Sequence, residues 1–229
     1  EIYWLCEFLK AAGAEVELVC GKHAKAIIHG GKPLHACSFR IPSDRIVAGT
    51  YLCACMAAGG EVFLRNAPRQ ENGAAEQLAA RMGAELEWEK DGILVRMKQR
   101  PVSPGKIVTA CYPGFPTDLQ SPLLPVLAVA SGMSRIQESI FNGRFGAAGQ
   151  LNRMGAGIVI VEDTAEIPGS RQLHGEVVSA ADLRGGAALV VAALCAEGVS
   201  VVTHCHYIER GYEDICRDLK ILGADMEKE

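Results

Sequence analysis

The feature that most restricts this chain is an internal repeat. Gly13-Ala14, Gly83-Ala84, Gly155-Ala156 and Gly223-Ala224 each follow a helical pattern, and the glycines are spaced 70, 72 and 68 residues apart. Each pair precedes a segment of strand character, such as Ala14 to Leu18 or Ala84 to Trp88. Glycine just past a helix reaches the left-handed conformation without steric cost. A second series runs in phase. Asp44, Asp118 and Asp182 each precede an apolar helical run, over 49–58, 121–130 and 187–196. Gly60, Gly132 and Gly198 close these runs, 16, 14 and 16 residues past the aspartates. Strand-like segments follow at 61–64, 134–136 and 199–202. Aspartate at a helix start reads first as a cap, because its carboxylate accepts from orphan N–H groups and complements the macrodipole.

The unit therefore spans roughly 70 residues, in the order strand, helix, strand, helix, strand, strand. Three units fill 42–229, while residues 1–41 read as the tail of a preceding domain: one helix, then strands at 16–19 and 25–28. Lys90-Asp91-Gly92 marks a turn between strands. Three equal α/β units predict pseudo-threefold packing, with the apolar helices buried together and the sheets facing outward. The first residue is Glu1, and the amphipathic stretch Ile2 to Leu9 has no capping residue ahead of it. The expectation is a C-terminal part of a longer chain.

Composition narrows the function classes. Apolar residues make up 49% and charged residues 22%, as in ordinary globular domains. A formal charge of −4 without a basic stripe argues against nucleic acid as the main partner. No window of 18 apolar residues predicts a membrane span. The nine cysteines include Cys20, Cys53, Cys55 and Cys205, and none forms a CxxC pair. Cys205 lies between His204 and His206. In a strand these histidines would share one face and Cys205 the other. Free thiols acting as small hydrophobes in a reducing cytoplasm are expected rather than a metal site.

Candidate chemistry gathers at equivalent points of the repeats. Asp118 and Asp182 begin helices at the same end of their units. Arg144 and Arg210 precede the second helix of theirs, each next to a glycine, and Arg184 follows Asp182 closely. Arginine forks of this kind suit carboxylate or phosphate.

Taken together, five motifs resemble the UDP-N-acetylglucosamine 1-carboxyvinyltransferases of the enolpyruvyl transferase family. They are Tyr112-Pro113-Gly114-Phe115-Pro116-Thr117-Asp118-Leu119-Gln120, the stretch from Pro42 to Thr50, Leu151 to Ala156, Asp182-Leu183-Arg184, and Arg210-Gly211-Tyr212-Glu213. The resemblance covers essentially the whole chain. It implies an inside-out α/β barrel of βαβαββ units, with 42–229 as most of the second domain and 1–41 as the end of the first. It implies transfer of the enolpyruvyl group of phosphoenolpyruvate to the sugar 3-hydroxyl of UDP-N-acetylglucosamine, in the cytoplasm, at the entry to peptidoglycan synthesis. Asp118 then matches the general base and Asp182 a proton-transfer acid. Arg144 and Arg184 match the clamp on the phosphoenolpyruvate carboxylate, and Arg210 the contact to its phosphate. Ile140 matches a backbone contact to the UDP-sugar. No metal or redox cofactor is implied, and neither nucleic acid nor membrane is a partner. The family's upstream domain, with its lysine and mobile cysteine loop, is the missing partner, so this segment alone should not turn over.

Two departures stand out. Asn142-Gly143 replaces Glu-Asn before Arg144, and 145–150 replaces a bulkier segment, which predicts a looser loop. Pro122 sits early in the helix after Asp118, where proline is tolerated. The alternatives are a non-catalytic ligand-binding paralogue and the sister enzyme of the shikimate pathway. The latter is disfavoured by Phe141, which stands where that enzyme has Glu.

Overall fold

The computed structural model describes residues 1–19, 24–69 and 71–228. Cys20 and Glu229 lie outside the described residues. The chain divides into two compact units, Glu1–Ser43 and Asp44–Glu229.

In the first unit, helix α1 (Ile2–Ala11) leads into an antiparallel pair, β1 (Glu15–Val19) and β2 (Lys25–His29). Gly13, at φ 95°, makes the exit from α1. His35 lies against it, so close that a Cβ at Gly13 would stand 2.7 Å from the imidazole. The backbone N–H of His35 donates to the Ala12 carbonyl, which ties the following segment to the end of the helix.

The second unit holds three successive segments. The first carries α2 (Arg45–Ala58), β3 (Gly60–Arg65), α3 (Gly73–Arg81), β4 (Glu85–Glu89) and β5 (Gly92–Met97). Its sheet is antiparallel in the order β3-β5-β4, with the turn at 90–91 joining β4 to β5. The second carries β6 (Lys106–Val108), a 3-10 turn at Thr117–Leu119, α4 (Gln120–Val129), β7 (Ser134–Gln137), α5 (Ala147–Arg153), β8 (Val159–Val161) and β9 (Thr164–Ile167). Its four strands run β6-β7-β9-β8, with β6 parallel to β7 and the other pairs antiparallel. The third carries β10 (Val177–Ser179), α6 (Leu183–Leu194), β11 (Val201–Thr203), a 3-10 helix at Cys205–Arg210 and α7 (Ile215–Ile221), with β10 parallel to β11.

Helices α2, α4 and α6 pack on one another and form the core. All ten residues of α4 are buried, as are eight of the twelve in α6. Each fully buried leucine, such as Leu123, Leu124 or Leu127, contributes roughly 1.5–3 kcal/mol by leaving water. Close approach depends on small residues. A Cβ on Gly49 would lie 2.5 Å from Leu119, and one on Gly186 would lie 2.6 Å from Ile208. Pro122 falls in the first turn of α4, where its missing N–H costs no helical bond, but Pro125 lies inside the helix.

The repeat glycines behave as expected: Gly83, Gly155 and Gly223 all have φ between 94° and 104°. Some boundaries move. The apolar run expected to reach residue 196 ends as a helix at Leu194, and the last strand begins at Val201 rather than 199. The His204-Cys205-His206 stretch is not a strand. His204 is left-handed at φ 59° and Cys205 opens the 3-10 helix, so the alternating-face argument fails there. Among the described residues no helix is long and apolar enough to cross a membrane, and no three His, Cys, Asp or Glu side chains converge as metal ligands. The eight described cysteines are free thiols. Burial pushes the Cys53 thiol up to about 12.

Candidate functional site

The site forms at the N-terminal ends of α4 and α6. After β6 the chain makes a tight loop: the Ala110 N–H donates to Phe115 O, and the Gly114 N–H to Cys111 O. Gly114 is required there, because a Cβ would come 2.6 Å from that of Ala110. Buried Phe115 and Pro116 anchor the loop, and the 3-10 turn then presents Thr117 and Asp118 half-buried.

Asp118 is not a helix cap. Asp44 caps α2 through Ile46 N and Val47 N at 2.6 and 3.2 Å, and Asp182 caps α6 through Gly185 N at 2.7 Å. At α4 the cap residue is Leu119, and no side chain caps it. The capping expectation therefore holds for two aspartates and is corrected for the third. Asp118 instead receives two guanidiniums. Arg144 Nη2 donates to Oδ1 at 2.5 Å, and Arg184 Nη2 donates to Oδ2 at 3.3 Å. Arg184 is the more enclosed, with 12% of its side chain exposed against 25% for Arg144.

Each arginine is held from behind. Arg184 Nη1 donates to the Tyr212 hydroxyl at 3.2 Å, and its guanidinium lies 5.7 Å from the ring centre. Thr50 gives its proton to Ile46 O at 2.9 Å, so the Tyr212 proton is directed to Thr50 Oγ1 at 2.8 Å. Tyr212 is 2% exposed, and burial holds its phenol above the usual range while the Arg184 guanidinium opposes the shift. Arg144 Nη1 donates to Thr117 Oγ1 at 2.8 Å, and its guanidinium lies 5.1 Å from the Phe141 ring centre.

The structure thus joins Asp118, Arg144 and Arg184 directly. Asp182 stands exposed at the same helix end, its Oδ2 3.8 Å from where a Gly146 Cβ would be. Arg210 is exposed at the end of its 3-10 helix. The next residue, Gly211, presses on Leu183 so closely that a Cβ would meet that side chain at 2.8 Å. Ile140 donates its backbone N–H to Glu138 Oε1 at 2.8 Å, which leaves its carbonyl and side chain for other partners. In the segment expected to be loose, Phe145, Ala147 and Ala148 are buried, whereas Gly146 and Gly149 are exposed.

Sequence reasoning assigned no role to Thr50, Thr117, Glu138 or Tyr212. Thr50, Thr117 and Tyr212 sit inside the motifs that carry the family resemblance, which is a usable signal. Glu138, at a strand end, reads as a solvated acid and gives none.

The family model described as EPSP synthase (3-phosphoshikimate 1-carboxyvinyltransferase) matches residues 1–219. The UDP-N-acetylglucosamine 1-carboxyvinyltransferase 2 of Symbiobacterium thermophilum is 41% identical over 229 residues, covering 100% of this chain and 53% of its own length. The protein of the same name from Caldanaerobacter subterraneus subsp. tengcongensis is 42% identical over 230 residues, covering 99% and 54%. Among solved structures, the enolpyruvyl transferase NikO from Streptomyces tendae superposes with a TM-score of 0.80 at 28% identity, over 94% of this chain and 51% of its own. EPSP synthase from Acinetobacter baumannii has a TM-score of 0.62 at 22% identity, over 83% and 45%, which speaks to the fold alone. The chain spans about half the length of the curated relatives it matches.

Proposed function

This chain belongs to the EPSP synthase (3-phosphoshikimate 1-carboxyvinyltransferase) family, and from that premise we propose that it is the C-terminal half of a cytoplasmic UDP-N-acetylglucosamine 1-carboxyvinyltransferase. In the reaction, the sugar 3-hydroxyl oxygen bonds to C2 of phosphoenolpyruvate while C3 gains a proton. A tetrahedral ketal phosphate results. Loss of a C3 proton and departure of phosphate then restore the double bond. Repeated βαβαββ units around a pseudo-threefold axis, with the first domain ending near residue 41, complete the reading. The product would enter peptidoglycan synthesis.

The observation that carries this reading is the carboxylate of Asp118 held between Arg144 and Arg184 at a common helix end. Asp118 accepts the 3-hydroxyl proton as the C–O bond forms, the task of a positioned general base. Its two arginine partners hold the donor's carboxylate. Guanidiniums already oriented by Thr117 and Tyr212 need no reorganisation when charge develops. Asp182 moves the C3 proton, and Arg210 holds the phosphate. Ile140, its N–H occupied by Glu138, meets the sugar nucleotide through its carbonyl or side chain. The shikimate alternative is weakened by identity: relatives at about 40% carry the UDP-sugar name, and the EPSP synthase structure stands at 22%.

The test is phosphate release from phosphoenolpyruvate plus UDP-N-acetylglucosamine, by this chain alone and by the chain combined with an upstream half. Release only from the combination is expected. Turnover by the chain alone would overturn the divided site. Silence from two folded halves that associate would favour the non-catalytic paralogue.

A further inference from the structure

Glu138 is a buried carboxylate, 4% exposed, at the end of β7. Four donors converge on it. Oε1 accepts from Thr109 Oγ1 at 2.9 Å, Ile140 N at 2.8 Å and Phe141 N at 3.2 Å. Oε2 accepts from Thr117 Oγ1 at 2.8 Å. None of these donors is charged, so Glu138 is not one half of a buried ion pair. It acts on hydroxyl direction. A threonine hydroxyl has one proton and two lone pairs. With its proton directed to Glu138, Thr117 has only lone pairs left for Arg144 Nη1, which donates to it at 2.8 Å. Thr109 obeys the same rule: its proton goes to Glu138, and its oxygen accepts from Ser139 N at 2.9 Å.

We propose that Glu138 is a positioning residue which sets the polarity of Thr117 and, through it, the orientation of Arg144 toward the carboxylate of the enolpyruvyl donor. This rests on the functional reading above. Directed hydrogen-bond chains couple their members, because reversing one proton reverses or breaks the next bond. The relay is Glu138, Thr117, Arg144, Asp118. Its first member lies in the core and its last two at the reacting end. Arg184 is held independently, by Tyr212 and Thr50, so losing the relay should impair the clamp without abolishing it.

The substitution Glu138→Gln sharpens the argument. Three of the four donors face Oε1 and hold an amide oxygen there. The amide NH2 then falls opposite Thr117 and donates to its oxygen, so the hydroxyl proton turns away from position 138 and Arg144 Nη1 must share that oxygen with a second donor. Thr117→Val removes the hydroxyl with little change of shape. In the full-length enzyme both variants should raise KM for phosphoenolpyruvate about tenfold, with kcat falling less and KM for UDP-N-acetylglucosamine moving less than about twofold. The double variant should be no worse than the poorer single one, since both act through the same bond. Thr117→Ser should recover most of the affinity that Thr117→Val loses.

An active parent whose Thr117→Val variant keeps its KM for phosphoenolpyruvate overturns the proposal. So does additivity in the double variant, or an equal rise in both KM values for Glu138→Gln, which marks a scaffold role. If Glu138→Gln does not fold, the Val and Ser variants at Thr117 decide alone. An inactive full-length parent overturns the functional reading itself and this inference with it, so the two failures are distinguishable.

Discussion

The starts of α2 and α6 differ from the start of α4, although all three carry an aspartate at the same place in the repeat. Asp44 (φ −73°, ψ 117°) and Asp182 (φ −153°, ψ 171°) sit in extended backbone, from which the carboxylate reaches forward to the orphan N–H groups of its own helix. Asp118 lies inside a 3-10 turn, and no N–H at the start of α4 donates to its carboxylate. Leu119 N donates to Pro116 O and Gln120 N to Thr117 O, while Pro122 has no N–H at all. A carboxylate not needed by its helix is available to Arg144 and Arg184. The lesson is that a cap and a candidate catalytic base can share residue type and repeat position, and that the turn before the helix separates them.

Substitutions can break this comparison. The largest effect is expected for Asp118→Asn in the full-length enzyme. On the proposed role, kcat should fall about 10²- to 10⁴-fold, and the denaturation midpoint should move only by the loss of charge at its two arginine contacts, because no helix loses a cap. A marked loss of stability would return Asp118 to the structural class. Asp182→Ala should show both effects: a fall in turnover, and about 1 kcal/mol of lost stability from the missing bond to Gly185 N. Finding only the stability loss would make Asp182 equivalent to Asp44. For Asp44→Ala, urea denaturation should report a loss of about 1 kcal/mol, with both KM values as in the parent. The smallest perturbation is a thiol label at pH 8. Cys111, exposed in the loop before α4, should react in the folded protein. Cys53, buried in α2 with its thiol pushed up to about 12, should react only after denaturant is added. Early labelling of Cys53 would mean that α2 is not sealed into the core.

Much of the architecture was legible because it follows from local rules. Glycines with positive φ after helices, apolar runs between Asp and Gly, and the Lys90-Asp91 turn all mark elements through backbone sterics and periodicity. The misread segment, 204–206, is one where a left-handed non-glycine residue interrupts the pattern and no local signal announces it. The site was partly legible. Asp118, Arg144 and Arg184 stood out by type and position, and they meet. Glu138 was invisible, because an acid at a strand end looks ordinary until burial gives it a partner 21 residues away.

By itself the sequence determined the periodicity, the helix exits and the residue types available at each helix start, since these depend on backbone conformation and on hydrophobic spacing within one segment. The tertiary structure alone decided what each polar group does. Packing α2, α4 and α6 together brings Arg184 to Asp118, and the loops beside these helices bring Tyr212 to Thr50 and Thr117 to Glu138. Hydrogen-bond direction depends on which donors and acceptors meet away from water, and chain order does not encode those meetings.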